Sequence, residues 1–273
     1  GLNGSGPAPR TWTPDYFLHK YGADKVTPPK RGFDSVTVPG AVASWVALSD
    51  RYGKLPFADL MEPAIDIAER GFLVPFVVQQ KWASAVSEFE SLPGCAQSFL
   101  PHGRAPEVGE LFQFQAAARG LRAIAETKGQ ALYGGEIAQA IERYSLKHNG
   151  TITAQDFADY RPEWTTPLEQ NYRGHTLHEI PPNGQGIAAL IALGILDHFD
   201  IARMPIDGVD SQHIQIEAIK LAFADVYSFV ADPLSMNITP AEMLAPSYLA
   251  SRAKLIKLNQ AQNFGAGNPV KGG

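Results

Sequence analysis

The feature that most constrains this chain is an imbalance: apolar residues recur at helical spacing over most of its length, while a single stretch reads as paired strands. Pro39 in Val38-Pro39-Gly40 opens a helix carrying Val42, Trp45, Val46 and Tyr52, and Gly53 is placed to stop it. A second segment runs from Pro56 to Gly71, and Pro63 within it predicts two short turns of helix, because proline lacks the N–H that an interior position donates. Val78, Trp82, Val86 and Phe89 mark a third stripe, residues 110 to 128 a fourth, and Ile137, Ile141 and Tyr144 a fifth. Thr153 and Asp156 form a capping-box pattern for a short helix through Tyr160. Farther on, Ile187, Leu190, Ile191, Ile195 and Phe199 share one stripe, and Asp210-Ser211 opens the longest helix, to about Asp232-Pro233. Thr239-Pro240-Ala241-Glu242 combines an N-cap, a proline at the first helical position and a glutamate at the third.

Against these helices stand residues 164 to 180, where Leu168, Tyr172, Leu177 and Ile180 alternate with Thr and His and predict two short strands, with turns at Glu169-Gln170-Asn171 and around Gly174. A lone hairpin is only marginally stable in water. Either the protein is all-helical with a decorative hairpin, or its missing strands belong to another chain. The start Gly1-Leu2-Asn3-Gly4, without an initiator methionine, and the polar tail Asn259 to Gly273, read as a flexible end, favour the second.

Composition narrows the function classes. Lys plus Arg number 23 against 28 Asp plus Glu, a net charge of -5 with no basic stripe, which argues against a nucleic-acid partner. No apolar run reaches the roughly 20 residues that span a bilayer, and the compartment, cytoplasm or periplasm, stays open. The single cysteine, Cys95, excludes an internal disulfide framework and a thiolate metal cluster. His175 and His178, at odd spacing on a strand, point to opposite faces and cannot chelate one ion; the other histidines are scattered singly. We expect no protein-bound metal and no cofactor.

No stretch is a self-sufficient catalytic constellation. Gly4-Ser5-Gly6 resembles a fragment of a nucleophile elbow, but Asn3 and Pro7 occupy its outer glycine positions, so a tight turn is the better reading. Pro181-Pro182-Asn183-Gly184-Gln185-Gly186 leads from a strand into a helix, whose first N–H groups could hold an anion; it is not G-x-G-x-x-G, and a rigid Pro-rich turn needed for packing explains it better. Glu217, Lys220 and Asp225 on the long helix read as a solvated face or as structural pairs.

Several blocks, taken together, carry a resemblance. They are Ser35-Val36-Thr37-Val38-Pro39-Gly40, Tyr52-Gly53-Lys54-Leu55-Pro56-Phe57, Pro63-Ala64-Ile65 with Ala68-Glu69-Arg70-Gly71-Phe72, Leu168-Glu169-Gln170-Asn171-Tyr172-Arg173-Gly174, the Pro181–Gly186 block, Glu217 through Asp225, and Asp232-Pro233. In this order they resemble the gamma-glutamyltranspeptidase and cephalosporin-acylase-like group of N-terminal nucleophile hydrolases.

The resemblance implies an α+β fold, a four-layer αββα sandwich in which residues 1–273 are a single domain. This chain would be the helix-rich part of the large subunit, with the sheets completed by a second chain. It further implies one precursor that cuts itself before a threonine, just beyond the tail 259–273. That threonine, at the start of the small subunit, would be the nucleophile, so no catalytic residue lies in this chain. The substrate would be a small gamma-glutamyl or related acyl amide. In the transpeptidases an arginine just before a Thr-Ala-Pro stretch grips the substrate carboxylate; aligning Ala8-Pro9 with that stretch puts Ser5 at the arginine position and Pro7 where some relatives carry an arginine. Ser5 offers one neutral hydrogen bond, and loss of a buried bidentate ionic contact is worth about 2–5 kcal/mol. Arg10 is the nearby guanidinium that could reach back into the substrate site. The alternatives are a cephalosporin or glutaryl acylase and, from another class, a non-catalytic helical interaction module.

Overall fold

The computed structural model describes residues 1–23 and 29–271. In chain order these form β1 (Leu2–Asn3), α1 (Pro14–Tyr21), α2 (Ala41–Tyr52), α3 (Phe57–Arg70), β2 (Phe72–Leu73), α4 (Phe76–Phe89), α5 (Cys95–Phe99), β3 (Leu111–Phe112), α6 (Gln115–Glu126), α7 (Gln130–Tyr133), α8 (Glu136–Lys147), α9 (Ala154–Asp159), β4 (Glu163–Trp164), β5 (Leu168–Tyr172), β6 (His175–Glu179), α10 (Ile187–Leu196), α11 (Val209–Phe229), α12 (Pro240–Met243) and α13 (Pro246–Ala253). Among the described residues every sheet is two-stranded and antiparallel, pairing β1 with β4, β2 with β3 and β5 with β6. The chain divides into two compact units, Gly4–Pro162 and Gly1–Asn3 with Glu163–Gly273.

In the first unit α3 packs on α6, and Val42, Phe57, Met61, Ile65, Ile124 and Phe157 meet in one core. The expected break at Pro63 does not occur: α3 is one continuous helix. Proline removes a single backbone bond there, and burying Phe57, Met61 and Ile65 on either side of it outweighs that loss. The fourth predicted stripe also begins later than its apolar pattern, since Leu111 and Phe112 pair with Leu73 and Phe72 as strands before α6 starts at Gln115. The capping box at Thr153 is present, with Asp156 receiving the Thr153 N–H at 2.8 Å.

In the second unit α10 is apolar on all sides and is correspondingly enclosed, with Ile187, Leu190, Ile191 and Ile195 fully buried. It packs on α11, α13 and the β5–β6 hairpin. That hairpin turns at Arg173-Gly174, both at positive φ (50° and 83°), the backbone twist that suits a two-residue connection. The turn expected at Glu169-Gln170-Asn171 is absent, and these residues lie within β5, paired to His178, Leu177 and Thr176.

The tail departs from its composition. Where a Gly-, Asn- and Gln-rich stretch predicts a flexible end, the described residues after Asn259 are tied to α11 and α13 by hydrogen bonds to buried side chains. Pro269 is buried. Gly272 and Gly273, the last residues of the predicted tail, lie outside the described residues.

Candidate functional site

Ser5 and Arg10 lie on the segment Gly4–Arg10, which is not the tight turn that Gly4-Ser5-Gly6 suggests. It runs without regular structure against residues 38–44, with the Val38 N–H donating to the Pro7 carbonyl at 3.0 Å. A Cβ on Gly6 would overlap the Val38 carbonyl, one on Gly4 the Ser44 hydroxyl, and one on Gly40 the Gly4 carbonyl. The glycines are therefore there for close backbone approach. Tyr133 secures the other side of this contact, its hydroxyl donating to the Pro39 carbonyl at 2.6 Å and accepting the Ala43 N–H at 3.0 Å, which anchors the first turn of α2. Burial pushes the Tyr133 and Tyr160 hydroxyls up, so both stay neutral. Ser5 is exposed between its two packed glycines.

Arg10 is committed elsewhere. Its backbone N–H donates to Asp156 Oδ1 at 3.2 Å, at the capping box of α9, and its guanidinium forms an ion pair with Asp159. Gln155 donates to the other Asp159 oxygen at 2.8 Å. The pair is exposed, so it is worth at most about 1 kcal/mol.

In the second unit, Asn3 Nδ2 donates to Asn183 Oδ1 at 3.2 Å, placing β1 beside the Pro181–Gly186 loop. Gly186 again permits a close approach, here to the Glu179 carboxylate. The N–H groups of Ala188 and Ala189 at the start of α10 are taken by the Gln185 and Gly186 carbonyls, both at 3.0 Å, so this helix start offers less to an anion than its sequence suggests. His175 and His178 are exposed on β6, with His178 3.9 Å from Glu169 across the hairpin. Among the described residues no group of three or more His, Cys, Asp or Glu is placed to hold a metal, and no helix is long and apolar enough to cross a membrane.

The charges on α11 require a correction. Glu217 and Asp225 are not a solvated face; they are 1% and 0% exposed. The structural-pair reading holds, with Lys220 Nζ 2.5 Å from Glu217 and Arg252 Nη2 3.0 Å from Asp225. Burial pushes the Asp225 carboxyl up, against the opposing pull of the Gly267 amide and Arg252. A signal was available, because positions 217 and 225 fall on the same helical stripe as Ile214, Ala218, Leu221 and Ala222. Arg252, 4% exposed on α13, carried no such mark.

The family model for gamma-glutamyltranspeptidase matches residues 1–271. The chain is 35% identical over 256 residues to the glutathione hydrolase-like YwrD proenzyme of Bacillus subtilis (strain 168), covering 93% of this chain and 48% of that protein. It is 33% identical over 237 residues to the acylase ACY 1 proenzyme of Pseudomonas sp. (strain SE83), covering 86% and 42%. The solved cephalosporin acylase from Bacillus halodurans superposes with a TM-score of 0.94 at 40% identity, over 98% of this chain and 50% of that one. The chain thus spans about half the length of these relatives.

Proposed function

Because this chain belongs to the gamma-glutamyltranspeptidase family, we propose that it is the helix-rich large-subunit portion of a self-processing amidohydrolase of that type. The observation that carries the reading is the match over residues 1–271 together with coverage of only about half of relatives named proenzymes. The open edges of the two-stranded sheets β1–β4 and β5–β6 are consistent with strands supplied by a second chain in a four-layer αββα sandwich.

In this proposal the precursor carries a threonine just after the tail. Its hydroxyl oxygen bonds to the carbonyl carbon of the preceding peptide bond, the C–N bond breaks, and the departing nitrogen takes the proton. Water then hydrolyses the resulting ester, leaving a carboxylate on the tail and a threonine with free hydroxyl and α-amino groups. That amine, titrating near about 7.7–8.0, is the base that activates the hydroxyl against an acyl amide, and an acyl-threonine intermediate follows. The substrate class is gamma-glutamyl or related acyl amides.

Ser5 is the residue we place at the acyl group's carboxylate. Arg10 can join it only by giving up Asp159. A neutral serine there weakens the ionic grip on that carboxylate; the second reading, a cephalosporin or glutaryl acylase, is supported by the 40% identity to the Bacillus halodurans acylase.

The test is the full-length precursor. Denaturing gels and intact mass should show two chains parted near the end of the tail, and one chain when the following Thr is replaced by Ala; cleavage of that variant at the normal rate would sink the self-processing mechanism. For the processed enzyme, Ser5→Arg should raise kcat/KM on gamma-glutamyl anilides by about tenfold, a gain equivalent to ~1.4 kcal/mol, and leave non-carboxylate acyl anilides unchanged.

A further inference from the structure

Three buried charges in the second unit each spend a hydrogen bond on the backbone of the tail. Glu217 Oε2 accepts the Gln262 N–H at 3.1 Å, Asp225 Oδ1 accepts the Gly267 N–H at 2.9 Å, and Arg252 Nη2 donates to the Gly265 carbonyl at 2.9 Å. The same Arg252 nitrogen also reaches the Leu221 carbonyl on α11 at 3.2 Å. The tail has little apolar surface with which to hold itself: Phe264 packs on the core under Lys220, and Val270 is exposed.

Stability alone does not ask for this arrangement. Well-packed apolar residues in place of a buried ion pair are often as stable or more so, whereas charges aimed at a particular backbone path select that path. The fit is also steric at one point. A Cβ on Gly267 would overlap the Tyr248 hydroxyl and lie 2.8 and 2.9 Å from the ring carbons Cε2 and Cζ, while a Cβ on Gly265 would meet nothing within 4 Å. Neither glycine needs a positive φ.

We propose that Glu217, Asp225 and Arg252, with Tyr248 as the wall against Gly267, are positioning residues for self-cleavage: they clamp residues 262–267 so that the peptide bond beyond the tail is presented to the attacking hydroxyl. This rests on the two-chain reading above. The clamp fixes the path of the tail in the uncut precursor, and the cut then frees the chain end beyond it.

The experiment compares self-cleavage rates of the full-length precursor, unsubstituted and with Gly267→Ala or Gly265→Ala, alongside melting temperature. Both changes lie in the tail and leave the α11 and α13 side chains intact. Gly267→Ala should cut at least about tenfold more slowly, since a misplacement of about 1 Å can cost ~100-fold, and Gly265→Ala should stay within about twofold of the parent. Replacing Tyr248 by Leu in the Gly267→Ala background should restore part of the lost rate by clearing the wall. Equal rates for the two glycine variants in a precursor that does cut itself would overturn the clamp and leave the two-chain reading standing. An unsubstituted precursor that never cuts would overturn that reading itself. A slowing of Gly267→Ala matched by an equal slowing of Gly265→Ala, with both melting temperatures lowered, would assign the tail contacts to stability and overturn the clamp as well.

Discussion

Asp34 in the Gly4–Pro162 unit and Asp225 in the other are buried to nearly the same degree, yet they are held in opposite ways. Asp34 receives the Tyr21 hydroxyl at 2.6 Å, the Tyr16 hydroxyl at 2.8 Å and the Lys20 ammonium at 2.7 Å. Burial pushes its carboxyl up, but these donors outweigh burial and hold it below its ordinary value. At Asp225 burial wins and the carboxyl is pushed up, despite Arg252 and the Gly267 amide. The difference lies in the donors. Lys20 keeps about a third of its side chain in water (32%), while Arg252 is itself buried (4%) and carries its own desolvation cost.

The largest expected effect sharpens this contrast. Arg252→Ala leaves Asp225 without its cation and the Gly265 carbonyl without its donor, so urea unfolding should show a loss of about 3–5 kcal/mol. Lys20→Ala leaves both phenol donors on Asp34 and should cost less, about 1–3 kcal/mol. Finding the two losses equal would break the comparison.

The smallest effect is one of slope. A carboxyl held below its unfolded value of about 3.9 contributes stability that is present above that value and lost as pH falls through the folded one. One pushed up contributes stability that is fully present below the unfolded value and lost as pH rises through the folded one. Asp34→Asn should therefore become more damaging, relative to the parent, as pH rises toward about 3.9, and Asp225→Asn less damaging as pH rises above it. Unfolding curves measured across that range would contradict the opposition of the two sites if both differences ran the same way.

Much of the local architecture was legible. The capping boxes at Thr153 and Thr239, the stop at Gly53 and the extent of α11 follow from residues within about four positions of one another. The β2–β3 pair was not legible, because two-residue strands have no period to read and Phe72 meets Phe112 only through the intervening helices. Continuity of α3 through Pro63 was hidden for a related reason, since the apolar contacts that carry the helix past the proline come from α6. Family resemblance brought Ser5 forward, but its exposure between two packed glycines depends on Val38 and Gly40, and the Arg10–Asp159 pair spans 149 residues.

By itself the sequence determined most of the longer helices and several of their caps, that strands are scarce, and which family the chain resembles, because each of these is written in short-range spacing or in ordered blocks. Only the tertiary structure decided which partners the buried Glu217 and Asp225 take and that the tail is hydrogen-bonded to them. Their tail partners stand 45 and 42 residues away along the chain; the helical stripe records that these charges face inward, but which backbone groups meet them there is set by packing in space.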